Sequence, residues 1–414
     1  MDRTILHCDC NSFFASVECM LNPSLKDKPV AVCGSEENRH GIVLAKNEIA
    51  KRYNIKTAET VWSAKKKCPS LITLEPHYDE YVRISGQINR IYRRYTDLVE
   101  QFGIDEAWLD VTGSKKLFGG GEEIAERLRK EIKEEIGITV SVGVSFNKIF
   151  AKIGSDYKKP DAVTVISRAN FREIVYPLPV DSLLYVGGKT FEALRACDIK
   201  TIGQLANTDP KFLEYKFGKH GEMLAKYARG EDYSAVASVY DKHDPKSISN
   251  GMTFKKDISS DDEIRMGLRF LCDEIGERLR KNGKRCNGVC VTIKDTYLSN
   301  ISRQKQISPP TDISSEIFNV AFRIVKEQWL TGKPIRMLTV AAINLINASD
   351  ASAQMDLFAT DDDKRRKAST LENTLDKIKG KFGKSSISRA SIMQNDIGIS
   401  NTTPRKTDKQ KVIK

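Results

Sequence analysis

No stretch of the 414 residues approaches the ~18 consecutive apolar residues that crossing a bilayer takes. No basic-then-apolar leader stands before the first strand pattern either. Membrane and secretory readings lose their support, and a cytoplasmic protein is expected. Paired cysteines are missing as well. The nine cysteines are scattered, and neither Cys8/Cys10 nor Cys286/Cys290 is matched by a second Cys or His pair at zinc-site spacing. Reduced, buried thiols are expected instead. Negative charge is short: 55 Asp and Glu face 67 Lys and Arg, leaving a formal charge of +12. Such a surface attracts polyanions, nucleic acid first among them. One core rarely serves a chain of this length, so several domains are expected.

What is present falls into two runs of interleaved strand and helix patterns. An apolar strand, Ile5 to Asp9, gives way at the capping pair Asn11-Ser12 to a helix carrying Phe13, Phe14, Val17 and Leu21. Short strands follow at Val30–Val32 and Ile42–Leu44, then a Lys-rich helical stretch from Lys46 to Tyr53. Apolar residues at 84, 88, 91, 92 and 95 mark a long helix, and strands Leu98–Phe102 and Ala107–Val111 flank a turn. A helix with Ile124, Leu128, Ile132 and Ile136 and an alternating strand at Val140, Val142 and Val144 complete a split β-α-β, ferredoxin-like α+β layer.

From Pro177 to Gly230 the pattern breaks into short helices separated by glycines, and a polar linker follows. A second β-α-β-β-α-β set then runs from Gly251 to Leu345, with the capping box Ser260-x-x-Glu263 opening its first helix. After Asn347 the chain turns polar and basic, which predicts a poorly ordered tail.

Three acids carry the chemistry. Asp9 ends the first strand, and Asp105-Glu106 lies in or just after the turn at Gly103-Ile104. Carboxylates where two strands converge are what a pair of Mg2+ ions needs, since hard cations take oxygen ligands and such clamps serve phosphoryl transfer. Neighbours on a regular strand point to opposite faces, so Asp105 and Glu106 can share a site only if the backbone is distorted there.

The segments from His7 to Glu18 and from Gly103 to Val111 together resemble the Y-family DNA polymerases, of the bacterial DNA polymerase IV type. The match continues in order through Ser141-Val142-Gly143-Val144-Ser145-Phe146-Asn147-Lys148, Ala151-Lys152 and Lys158-Lys159-Pro160, and on to about residue 349. The resemblance implies a palm with small inserted fingers (1–165, fingers about 11–76), a helical thumb with helix-hairpin-helix elements (166–235), a linker (236–246), a little finger (247–349) and a flexible tail (350–414). It makes Asp9, Asp105, Glu106 and the carbonyl of Cys10 ligands of two Mg2+ ions, the three acids being catalytic. Phe14 matches a steric gate that excludes ribonucleotides, with Phe13 a core aromatic beside it. Lys159 matches a triphosphate-binding lysine.

The fingers depart from the family. Where relatives commonly carry Tyr and Arg against the triphosphate, this sequence has Glu48 and Lys51; Lys51 supplies charge without Arg's fork, and an ionised Glu48 cannot hydrogen-bond a phosphate. In the thumb, Gly187 and Gly188 are implied phosphate contacts, but Tyr185 stands where the family shows glycine. Arg303 and Lys305 alternate along one strand and share a face, with Lys255 and Lys294 expected nearby on the sheet that grips DNA. In the tail, Gln354, Leu357 and Phe358 resemble a motif that binds the bacterial sliding clamp.

The implied activity is error-prone, template-directed DNA synthesis across lesions from dNTPs and a primed template, by a monomer associated with the nucleoid. No segment carries the further acids that a proofreading exonuclease requires. Two rivals remain: a palm-type nucleotide cyclase, and a catalytically idle DNA-binding or clamp-bound scaffold.

Overall fold

The computed structural model describes residues 2–35, 41–241, 244–330, 332–350, 362–392 and 395–399. Its strands, in chain order, are β1 (Ile5–Cys10), β2 (Val30–Cys33), β3 (Val43–Lys46), β4 (Ile72–Leu74), β5 (Val99–Gln101), β6 (Glu106–Asp110), β7 (Val140–Ser145), β8 (Val163–Ile166), β9 (Ser247–Ile258), β10 (Lys284–Lys294), β11 (Asn300–Thr311) and β12 (Ile335–Asn347). The chain divides into two compact units, Met1–Gly34 with Gly41–Lys242, and a second formed chiefly by His243–Lys414.

In the first unit a five-stranded sheet runs in the order β5-β6-β1-β7-β8, with β1 antiparallel to both neighbours and β7 parallel to β8. Alternation along β1 sorts its side chains. Leu6, Cys8 and Cys10 enter a core with Ile84, Ile88 and Leu128 from the helices Tyr78–Tyr92 and Gly121–Glu135. His7 and Asp9 turn the other way, toward the helix Lys148–Tyr157. That helix can lie directly on the sheet because Gly143 has no side chain. A Cβ there would stand 1.9 Å from the Ala151 carbonyl oxygen and 2.4 Å from the Ser155 nitrogen.

A small sheet in the order β3-β2-β4 packs over its own core of Ala31, Val43, Ala50, Val61 and Ala64. The glycine-broken helices between Gly188 and Ala228 do not build an isolated core. Leu194, Leu205, Leu213 and Leu224 pack with Phe146, Phe150 and Ile153 around the helix Lys148–Tyr157.

The second unit is an antiparallel sheet, β11-β10-β12-β9, packed with the helices Asp261–Lys281 and Ser314–Gln328. The Ser260/Glu263 capping box is formed as expected. The expectation of a flexible tail from 350 onward fails for the described part. Residues Asp362–Phe382 form a helix, Ile392, Ile397 and Ile399 are buried in the second unit's core, and the Lys255 N–H donates to the Ile397 carbonyl at 3.0 Å. The polar composition concealed the anchors. Arg280, almost fully buried, binds Glu372 and Asp376, and Lys384 and Arg389 pair with Glu274 and Asp273. All nine cysteines are free, six of them buried, and no helix among the described residues is long and apolar enough to cross a membrane.

Candidate active site

The register of β1 against β6 sets Asp9 directly opposite Glu106, so the two side chains share a face. Asp105 lies outside the ladder. It sits in the turn closing the β5–β6 hairpin, where the Phe102 and Gly103 N–H groups both donate to the Glu106 carbonyl, at 3.1 and 3.3 Å. The Cys10 N–H donates to the Asp105 carbonyl at 3.0 Å and fastens this turn to the end of β1. Here is the distortion that two adjacent acids require. Burial, reinforced by the charges of Asp9 and Glu106, pushes the Asp105 carboxyl above its ordinary range. The Cys10 thiol is buried on the core face, so only its main chain is available to the acids.

Ammonium groups hold the other two carboxylates. Lys159 Nζ lies 2.7 Å from Asp9 Oδ2 and 2.6 Å from Asp156 Oδ1, and Lys152 Nζ lies 2.5 Å from Glu106 Oε2. Burial works against the Lys159 charge, but Asp9 and Asp156 outweigh it and raise its pKa. Burial alone would raise Glu106. His7 and Lys152 pull it down instead, to about 2. Burial in turn lowers the His7 pKa, against the pull of the Glu106 carboxylate. His7 is fully buried, with Nδ1 2.8 Å from Ser155 Oγ and Nε2 3.3 Å from Glu106 Oε2.

Among the described residues no three His, Cys, Asp or Glu side chains converge into a ready-made cation cage. The donors that do meet here are carboxylate oxygens with lysines as counter-charges, a set whose hard oxygens suit Mg2+ once the ammoniums give way. Sequence reading missed His7 and passed over Lys152 without a role. The period of two was the available signal for His7, since it places His7 on the face of Asp9.

Beside the acids opens a cleft of about 280 Å3, lined by Asp9, Asp105, Phe14, Lys46, Lys51 and Thr57 among others. Phe14 is stacked on Tyr81 with ring centroids 4.2 Å apart and planes 12° from parallel. Tyr81 is itself fixed: it is buried, its hydroxyl donates to Glu18, and His77 Nδ1 lies 2.8 Å from the same carboxylate oxygen. Phe13 is a buried core ring 5.9 Å from Phe14. On the fingers side, Lys51 Nζ donates to Glu48 Oε1 at 2.6 Å, and Ser12 Oγ donates to the same oxygen at 3.0 Å. Glu48 thus ties a lysine of the cleft to Ser12, the residue that opens the helix Phe13–Leu21.

Farther along the first unit, Gly187 caps the helix Gly188–Ala196, and a Cβ at either glycine would meet nothing within 4 Å. Both face open space. Tyr185 adopts φ of 71°, the left-handed conformation that glycine takes most easily, so the loop keeps its path with a bulkier residue.

The basic residues of the second unit do not share one face as expected. Arg303 and Lys305 stand opposite Val291 and Val289, both buried, which places them on the helix-covered side of β11. There Arg303 donates to Gln328 and Lys305 to Glu327. Lys294 follows the buried Ile293 on β10 and Lys255 follows the buried Phe254 on β9, so these two point to the uncovered side. Strand alternation was read correctly within β11. Which face was covered depends on helix packing that no single strand encodes. Gln354, Leu357 and Phe358 lie outside the described residues.

Comparison with known proteins agrees with this architecture. Residues 8–156 match the model of the impB/mucB/samB family, and residues 245–357 match that family's C-terminal domain. The DNA polymerase IV of Acetivibrio thermocellus is 46% identical over 395 residues, covering 95% of this chain and 98% of that protein. The DNA polymerase IV of Pelotomaculum thermopropionicum is 38% identical over 392 residues, covering 93% of this chain and 94% of that protein. Among solved structures, a Y-family DNA polymerase chimera superposes with a TM-score of 0.73 at 25% identity, over 83% of this chain and 99% of its own. The cyclase and idle-scaffold readings give way, and the chain belongs to the Y-family DNA polymerases, in the DNA polymerase IV group of metal-dependent translesion enzymes.

Proposed function

We propose that the chain extends a primed DNA template with dNTPs at the cleft between β1, the β5–β6 turn and the fingers, using Asp9, Asp105, Glu106 and the Cys10 carbonyl to hold two Mg2+ ions. The observation that carries this reading is the facing of Asp9 and Glu106 across two strands, with Asp105 delivered beside them by the hairpin turn. When bound, the metal pair would supply activation of the primer 3'-hydroxyl and neutralisation of the triphosphate for in-line attack at the α-phosphorus.

The protein's own groups do the rest. Asp105, raised by burial and by its acidic neighbours, would gain from a divalent counter-ion. Lys159, released from Asp9, is a point charge for the triphosphate. The Phe14 ring, held against Tyr81, lies at the cleft wall where it can exclude a 2'-hydroxyl by bulk. Lys152 and His7 keep Glu106 ionised and in place.

DNA contact by Gly187, Gly188, Lys255 and Lys294 would fix the backbone without reading sequence, with Arg303 and Lys305 contributing less because Gln328 and Glu327 occupy them. The segment with Gln354, Leu357 and Phe358 would tether the enzyme to the sliding clamp. Primed template, four dNTPs and purified protein form the direct test. Extension is expected with Mg2+ and none after chelation by EDTA; extension unaffected by EDTA would overturn the metal assignment.

A further inference from the structure

We infer that Lys46, at the end of β3, is a binding residue for the triphosphate of the incoming nucleotide. The inference rests on the polymerase reading of the cleft and goes beyond it, because the family match places Glu48 and Lys51, and not Lys46, at the positions facing the triphosphate.

Three observations carry it. Lys46 and Lys51 both line the cleft that holds Asp9, Asp105 and the gate ring. The Lys51 ammonium is already paired with Glu48 at 2.6 Å, so a carboxylate of its own helix offsets part of its charge. Lys46 has no carboxylate partner among the described residues, and its ammonium donates instead to the neutral Thr57 hydroxyl at 2.8 Å. Thr57 also lines the cleft, so the bond holds the ammonium at the wall without neutralising it.

The electrostatics agree with that geometry. Burial lowers the Lys46 pKa and the Lys51 charge lowers it further, against the smaller opposing charges of Glu59 and Glu48. Two like charges in a half-buried cleft repel until an anion lies between them. A triphosphate is such an anion. Lys46 then takes over, in part, the work of the arginine this chain lacks, while Glu48 restrains Lys51 and anchors Ser12 at the start of the gate helix. A phosphate contact reads no base, so its loss should weaken all four nucleotides alike.

The experiment is steady-state single-nucleotide incorporation by the full-length chain and its K46Q and K46A variants, with each of the four dNTPs on matched templates. Glutamine keeps a donor for Thr57 and removes the charge, so K46Q remains informative if K46A folds poorly. K46Q is expected to raise KM about tenfold for every dNTP, with kcat changed little. Adding E48Q, which frees Lys51, should recover part of the loss. An unchanged KM would overturn the inference, and so would an increase confined to one or two bases, which would mark a contact to the nascent base pair. Loss of Mg2+-dependent extension by the unaltered chain would instead overturn the polymerase reading itself.

Discussion

Phe14 is held at the cleft wall by its neighbours. Its stack on Tyr81 at 4.2 Å, with the Tyr81 hydroxyl fixed by Glu18, restricts the ring's rotamers, and in the proposed gate role that restriction would keep a ribose from slipping past. Phe14→Ala is therefore expected to relax discrimination against ribonucleotides by about a hundredfold, measured as the ratio of kcat/KM for dNTP and rNTP. A ratio equal to the parent's would place the gate elsewhere. Phe14 was singled out in the sequence because its position in an ordered motif matches a family pattern, and the structure sets its ring on the cleft wall. Tyr81 and Glu18 were not, since their contacts join a helix at 13–21 to one at 78–92, and no local period reports that meeting. The same holds for Lys46: nothing in the sequence around it distinguishes a cleft lysine from a solvated one.

Among the elements, the helix Lys148–Tyr157 does most to shape the site, because it carries Lys152 and Ser155 to the back of Glu106 and His7. Its approach depends on Gly143, where an added methyl would press on helix backbone that cannot swing aside. Gly143→Ala is expected to cost about 2 kcal/mol or more in urea unfolding and to slow extension as Lys152 shifts from Glu106. A fully stable, fully active variant would contradict this packing.

The strands and long helices were readable from their periods, and the hairpin turn from its glycine. The tail was misread for a physical reason. Average composition reported a solvated segment, whereas a few ion pairs and three isoleucines at 392, 397 and 399 suffice to dock it. Face assignment failed similarly for Arg303 and Lys305, whose environment is set by the helix Ser314–Gln328 lying over their strand.

Across the whole molecule, the excess of positive charge and the concentration of acids at one point are complementary features. Under the proposed function the basic surface draws in a polyanion, and the few carboxylates at β1 and the β5–β6 turn serve the reaction and not the affinity. Removing an acid should therefore separate binding from chemistry. The decisive measurement is primer extension in Mg2+ by Asp105→Asn and Glu106→Gln, alongside primed-DNA binding by fluorescence anisotropy. Both variants are expected to bind DNA at least as tightly as the parent while extension falls about a thousandfold. Extension at the parental rate by either would contradict the assignment of the acids to the metal site.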